Sequence, residues 1–313
     1  MNPAFSVIFF TTLIGVGQGF FISLYGVELL AQAGVVAIAD RSAFYGTGSI
    51  LALLFLIAGL AASFFHLGHP ERAWRAAAMW RTSWLSREVI VLPALMLAVV
   101  VYGASHYFGS SASLVAGGVG VLLALALFVC TGMIYACLRF LQEWASPLTL
   151  TNYFLLGTAS GFTFASAFAH YAEPGLVGLY AAAAIVLTLA AFVSRSASLV
   201  RNARIRPKST LQTATGIRHP RIVQKAQGAM GGSFNTRQFF HHAGPQLFRQ
   251  IKWGFVVAVF PVPVALLAGG AALDSALLLM AAFIVQYAGL IAERWFFFAQ
   301  ANHPQNLYYQ YIS

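Results

Sequence analysis

Between residues 63 and 88 the chain gathers hydrogen-bonding, titratable and aromatic side chains, and long apolar runs flank the stretch on both sides. It holds His66, Glu88, four arginines (Arg72, Arg75, Arg81, Arg87) and three tryptophans (Trp74, Trp80, Trp84). His66 closes one apolar run and Glu88 opens the next. If those runs are antiparallel helices, both side chains lie at the same depth. A titratable group partly inside a bilayer is costly and marks a place where a proton or ion is handled. Imidazole titrates near neutral pH, and a neighbouring carboxyl group offers a second proton carrier. Such a pair suits a quinone, whose carbonyls accept hydrogen bonds, whose two-electron reduction takes up two protons, and whose tail stays in lipid. Trp74, Trp80 and Trp84 would give flat apolar walls for the ring, while Arg81 and Arg87 would orient Glu88 or hold a partner. The tryptophans equally suit the aromatic belt of a membrane surface, and the His66–Glu88 pair equally suits a structural ion pair or helix cap.

The elements that must position these residues follow from composition. The 313 residues are 59% hydrophobic and only 8% charged, with mean hydropathy +0.76, which excludes a soluble domain. A bilayer core about 30 Å thick needs roughly 20 apolar residues per helical crossing. Eight runs meet this, at approximately 5–31, 43–67, 88–107, 113–138, 149–171, 176–199, 253–272 and 276–300. They are continuously apolar rather than alternating, so they read as helices and not as barrel strands. The expected fold is therefore all-α: one integral membrane domain over 1–313, an eight-helix bundle. The first run has no basic leader or small-residue cleavage site and is read as a retained helix.

Charge orients the bundle. Of the eighteen Lys and Arg residues, ten lie between Arg201 and Lys252, a segment without Asp or Glu, and the net charge is +10. With eight crossings, this basic loop 201–252, the Arg72–Arg87 connection and both termini fall on one side, which the positive-inside rule makes cytoplasmic. The loop could bind anionic lipid or nucleic acid. No aromatic stacking platform or nucleic-acid-binding fold accompanies it, so it reads as an irregular segment folding against a partner or headgroups, with no nucleic acid. Cys130 and Cys137 sit in the fourth run about 10 Å apart along one helix, too far for a disulfide and too few for an iron–sulfur cluster. Glu293 and Arg294, near the end of the last run, read as a structural pair or as part of the pocket.

The run His66–Arg75 (HLGHPERAWR), followed by Trp80–Glu88 (WRTSWLSRE), resembles the signature of the DmsC-type membrane anchors of molybdenum oxidoreductases. Asn2–Thr12, Ile134–Ala136 and Ala292–Ala299 also look familial, so the resemblance covers the whole chain. It implies an eight-helix anchor in a bacterial inner membrane that exchanges electrons between a partner's terminal [4Fe–4S] cluster and ubiquinone or menaquinone. The partners would be an iron–sulfur subunit and a catalytic subunit with a molybdenum bis-pterin cofactor, and this chain would carry no metal. A histidine of the His-Leu-Gly motif and a glutamate opening the next helix are implicated in quinol binding in that family; they fall on His66 and Glu88. Arg72, Arg75, Arg201, Arg204, Arg206 and Lys208 are expected to meet the partners.

Within this family the cytoplasmic orientation implies the sulfite:quinone oxidoreductase anchors, since DMSO reductase partners dock outside. A DMSO reductase-type anchor oxidising menaquinol is the alternative, as is a structural anchor or a transporter without a quinone site. Glycines 15, 17, 19, 157 and 161 could be a transporter's helix breaks, but small residues four apart suit helix packing. His106 and His170 close the third and fifth helices at the outer side, where a bis-histidine haem site is geometrically open. Histidine at a helix end is usually interfacial, and the resembling anchors are mostly haem-free.

Overall fold

The computed structural model describes residues 1–65, 67–223, 225 and 239–309, without the side chains of 308 and 309. All regular structure among these residues is helical. The long helices are α1 (Phe5–Gln32), α2 (Arg41–Phe64), α3 (Trp84–Tyr107), α4 (Ser113–Ala136), α5 (Pro147–Ala172), α6 (Val177–Ala203), α7 (Pro245–Val259), α8 (Pro261–Ala272) and α9 (Ala276–Ala299). A 3-10 helix, Pro70–Met79, connects α2 to α3. Small polar residues cap the starts of three of the long helices. Asp40 accepts the Ala43 N–H at 2.9 Å for α2, Ser83 accepts the Ser86 N–H at 3.3 Å for α3, and Ser146, followed by Pro147, accepts the Leu148 N–H at 3.3 Å for α5.

Seven helical stretches among the described residues are long and apolar enough to cross a bilayer: Phe5–Gln32, Arg41–Phe64, Trp84–Tyr107, Ser113–Ala136, Pro174–Ala203, Pro245–Ala272 and Ala276–Ala299. The run expected at 149–171 forms α5, whose 26 residues span about 39 Å. It is more polar than the others because Thr149, Asn152, Thr158, Ser160, Thr163 and Ser166 are buried in the bundle and do not face lipid. The run expected from 253 starts at Pro245, inside the segment read as loop, with Arg249 on its exposed first turns. It breaks at Phe260, since Pro261 has no N–H to carry the hydrogen-bond ladder onward.

α1 is buried along most of its length and crosses α5 at unusually close range. A Cβ on Gly15 would lie 3.3 Å from the Gly157 Cα, and one on Gly19 would lie 2.8 Å from the Thr158 Cα. The glycines that could have been helix breaks are therefore a packing face.

Cross-links define the two ends. At one end the Met1 amino group donates to the Ala299 and Ala301 carbonyls (3.2 and 2.9 Å), Trp144 Nε1 donates to the Phe297 carbonyl at 2.9 Å, and Arg201 donates to the Gln142 carbonyl at 3.1 Å. At the other end the Ala39 N–H donates to Glu173 at 2.9 Å, and Tyr25 donates to the Leu114 carbonyl at 3.1 Å. The basic connections thus gather at the first end, with the start of α1 and the end of α9.

Candidate functional site

Ser83 sets the phase of α3 so that Ser86, Glu88, Leu92 and Leu95 face inward. Glu88 sits one turn inside the helix at the basic end and is 3% exposed. Its hydrogen-bond partner is Thr131 of α4, whose hydroxyl donates to Glu88 Oε1. Arg87, about 100° round the helix, turns the other way. Its guanidinium stacks 4.2 Å over Trp84, and it donates to the Trp80 carbonyl at 2.9 Å and the Arg81 carbonyl at 2.8 Å, tying down the turn that precedes α3. Trp80 is half exposed, and Arg81 lies 5.4 Å over its ring. The structure thus brings Trp80, Arg81, Trp84 and Arg87 together outside and sends Glu88 within. Among the described residues no hydrogen bond or ion pair joins Glu88 to either arginine. His66 lies outside the described residues.

Thr131 also lines a small cavity of about 20 Å³, together with Thr11, Thr12, Gln18, Tyr153, Ser160 and Arg294. Beyond it lies a buried charge cluster. Glu293 is ion-paired with two arginines, its Oε1 lying 2.7 Å from Arg195 Nε of α6 and its Oε2 3.0 Å from Arg294 Nε, and all three side chains are at most 5% exposed. The Arg294 guanidinium lies 3.9 Å over the Tyr153 ring. Glu293 and Arg294 lie as a close pair, and Arg294 also lines the cavity that Thr131 borders.

At the opposite end, His106 Nε2 lies 3.2 Å from Glu28 Oε1, which also accepts from Ser113 at 2.7 Å, and the imidazole stacks 4.1 Å from the Tyr45 ring. His170 Nδ1 lies 3.2 Å from Asp274 Oδ1. Each imidazole is thus turned to its own carboxylate. Among the described residues no group of three or more His, Cys, Asp or Glu side chains is placed to hold a metal ion.

Of the residues expected to meet partners, Arg72, Arg75, Arg204, Arg206 and Lys208 are exposed at the basic end. Arg201 is half-buried and occupied by the Gln142, Ala145 and Asn202 oxygens, so it ties the α4–α5 connection to α6. Lys208 lines a groove of about 780 Å³ with Phe140, Glu143, Leu211, His303 and Leu307.

The sequence alone does not single out Thr131, Gln18, Arg195 or the Glu28–His106 pair. Arg195 carries a usable signal: it is an arginine inside the run 176–199, and an intramembrane charge requires a partner such as Glu293. Thr131 carries no comparable signal, because one hydroxyl in an apolar helix usually bonds its own backbone.

An all-helical bundle with several membrane-length helices, a buried carboxyl group near one basic end and exposed arginines there defines a multi-pass membrane anchor. The family described as "DMSO reductase anchor subunit (DmsC)" matches residues 1–219, and the chain belongs to that family. It is 54% identical to a sulfite dehydrogenase subunit of Allochromatium vinosum over 326 aligned positions, which cover 100% of both chains. The charge cluster on α9 lies beyond the family match but within the region shared with that relative.

Proposed function

We propose that this chain is the quinone-reactive anchor of a molybdenum and iron–sulfur oxidoreductase. In this reading it exchanges electrons between a partner's terminal [4Fe–4S] cluster and the quinone pool, and the catalytic partner oxidises sulfite. The observation that carries it is Glu88: a carboxyl group 3% exposed inside a membrane-length helix, held by a threonine instead of a cation. That placement is costly for a charged carboxylate, and a titratable group kept there is a candidate proton carrier. The name of the Allochromatium relative, a sulfite dehydrogenase subunit, supports the substrate.

The quinone supplies a two-electron, two-proton couple. Glu88 and His66 exchange protons with its ring oxygens, Trp80 and Trp84 flank its entry from lipid, and Arg81 and Arg87 keep the preceding turn rigid. The donor set suits such a head group, since Thr131 engages only Oε1 of Glu88 and Oε2 is left to exchange a proton. We read α5 as the eighth crossing, because the chain just before it, at Ala145, bonds Arg201 at one end of the bundle, while Glu173 just after it bonds Ala39 at the other. With eight crossings both termini lie on the basic side, which is cytoplasmic by the positive-inside rule. The anchor then sits in the bacterial inner membrane and receives the iron–sulfur and molybdopterin subunits on its cytoplasmic face through Arg72, Arg75, Arg204, Arg206 and Lys208.

The test uses the assembled complex in native membranes. Glu88→Gln and His66→Leu are each expected to lower sulfite-dependent quinone reduction by about 100-fold or more, the scale of lost general acid–base catalysis, while sulfite-dependent dye reduction continues. Equal loss of both activities, or of neither, overturns the proposal. Quinol oxidation by DMSO with no sulfite-dependent activity would instead assign the other substrate.

A further inference from the structure

The cavity beside Thr131 has walls whose hydrogen-bonding groups do not balance. Gln18 Oε1 and Arg294 Nη1 are buried and have no protein hydrogen-bond partner, and both residues line it. Burying either group without a partner is unfavourable, and more so for the charged one. Arg294 Nε lies 3.0 Å from Glu293 Oε2 and its guanidinium lies 3.9 Å over the Tyr153 ring, while the N–H groups of Nη1 have no protein acceptor. Thr131 spends its hydroxyl hydrogen on Glu88, so its oxygen offers only lone pairs to the cavity. Three other hydroxyls on the wall are turned away: Thr11 and Thr12 donate to the Ile8 carbonyl at 3.2 and 2.8 Å, and Ser160 donates to the Gly157 carbonyl at 2.9 Å; the Tyr153 hydroxyl, also on the wall, is buried without a protein hydrogen-bond partner. One charged donor and the Tyr153 hydroxyl therefore face the acceptor oxygens of Gln18 and Thr131. A volume of about 20 Å³ holds one water molecule, which needs two to four polar partners.

We infer that this cavity is a binding site for a single ordered water and that Thr131 is a positioning residue for the Glu88 carboxyl; the second part rests on the quinone reading above. The water accepts an N–H from Arg294 and gives its hydrogens to Gln18 Oε1 and Thr131 Oγ1. Thr131 in turn donates to Glu88. Every hydrogen bond in this series points from the guanidinium to the carboxyl group, so each donor strengthens the next. The series fixes the carboxyl with Oε1 held and Oε2 free. It also connects α9, which lies outside the His66–Glu88 motif, to the proton-handling residue on α3.

Two measurements on the full complex in lipid nanodiscs test this. In a cryo-EM map that resolves ordered solvent, density is expected within hydrogen-bonding distance of Arg294 Nη1, Gln18 Oε1 and Thr131 Oγ1. No density there, or Arg294 paired with another protein group, overturns the water site. Thr131→Val is expected to lower kcat for quinone reduction by about tenfold, the usual scale for removing a residue that orients an active group, with KM and dye reduction unchanged; Thr131→Ser restores it. An unchanged kcat in Thr131→Val overturns the positioning role while leaving the quinone reading intact. That reading falls separately, if Glu88→Gln has no effect on quinone reduction. Should Thr131→Val not assemble, the kcat of Gln18→Leu, which removes one acceptor of the same water, is expected to fall and decides in its place.

Discussion

Arg195 Nε lies 2.7 Å from Glu293 Oε1, a charge pair between α6 and α9 with both side chains shielded almost completely. Because Glu293 also holds Arg294, its loss would leave two buried guanidinium groups without a counter-charge. Breaking a buried pair in this way costs about 3–5 kcal/mol, whereas removing both partners costs much less. Glu293→Gln is therefore expected to lower the thermal stability of the detergent-solubilised chain sharply. Arg195→Met combined with Glu293→Gln should recover part of the loss, and strictly additive melting shifts would show that the two residues do not act as a pair.

The crossing of α1 and α5 gives a second, independent test. A side chain at Gly19 meets the backbone of Gly157 and Thr158, and one at Gly161 meets the backbone of Gly19 and Phe20. Backbone cannot move aside as a flexible side chain can, so Gly19→Ala and Gly161→Ala are each expected to cost about 1–3 kcal/mol. Gly26, on the same helix as Gly19, has nothing within 4 Å of a built Cβ. Gly26→Ala should leave the melting temperature unchanged or slightly raised. Equal effects at Gly19 and Gly26 would mean that the crossing is not the constraint.

Much of this arrangement was legible in the sequence because lipid imposes a coarse and strict rule: long uncharged runs become helices. The ends of α1, α3 and α9 fall close to the runs that announced them, and Glu88 was visible as a carboxyl group opening such a run. Three features were not legible. Glu88 faces inward while Arg87 faces out because Ser83 sets where α3 begins, and a shift of one residue would exchange them. The start of α7 at Pro245 was hidden by Arg249 and Lys252, charges that read as loop although the stems of such side chains can lie along an interfacial helix. The link from Arg294 to Glu88 joins residues on helices far apart in the chain, and no local pattern encodes it.

Two histidines at the basic end make stability depend on pH. His303 stacks on Phe239 with ring centroids 3.8 Å apart, and His241 stacks on Phe248 at 5.3 Å. Burial pushes both imidazoles below their ordinary value of 6.5, with a smaller contribution from the nearby N-terminal amino group where it is protonated. The folded chain therefore resists protonation at pH values where the unfolded chain accepts it, and stability rises with pH through that window. Lowering the pH from about 7.5 to about 5.5 should reduce the melting temperature, and His241→Gln with His303→Gln should flatten the slope. An unchanged slope in the double variant would assign the pH dependence to other groups.

The orientation of the bundle decides which partners it can receive, and the two cysteines report on it directly. Cys137 is exposed at the basic end, just past α4, while Cys130 is buried within that helix. In membranes prepared without the partner subunits, a membrane-impermeant maleimide should label inside-out vesicles and leave right-side-out spheroplasts unlabelled. Cys137→Ala should abolish that labelling, and Cys130→Ala should not alter it. A cysteine introduced at the exposed Ser110, in the turn at the other end of the bundle, should give the reverse pattern. Labelling of Cys137 from outside would turn the arginine-rich face outward. A catalytic subunit docked there would then have to be exported, and the preference for a cytoplasmic sulfite oxidiser over an exported reductase would lose its physical basis, since that preference rests on which side of the membrane the basic connections occupy.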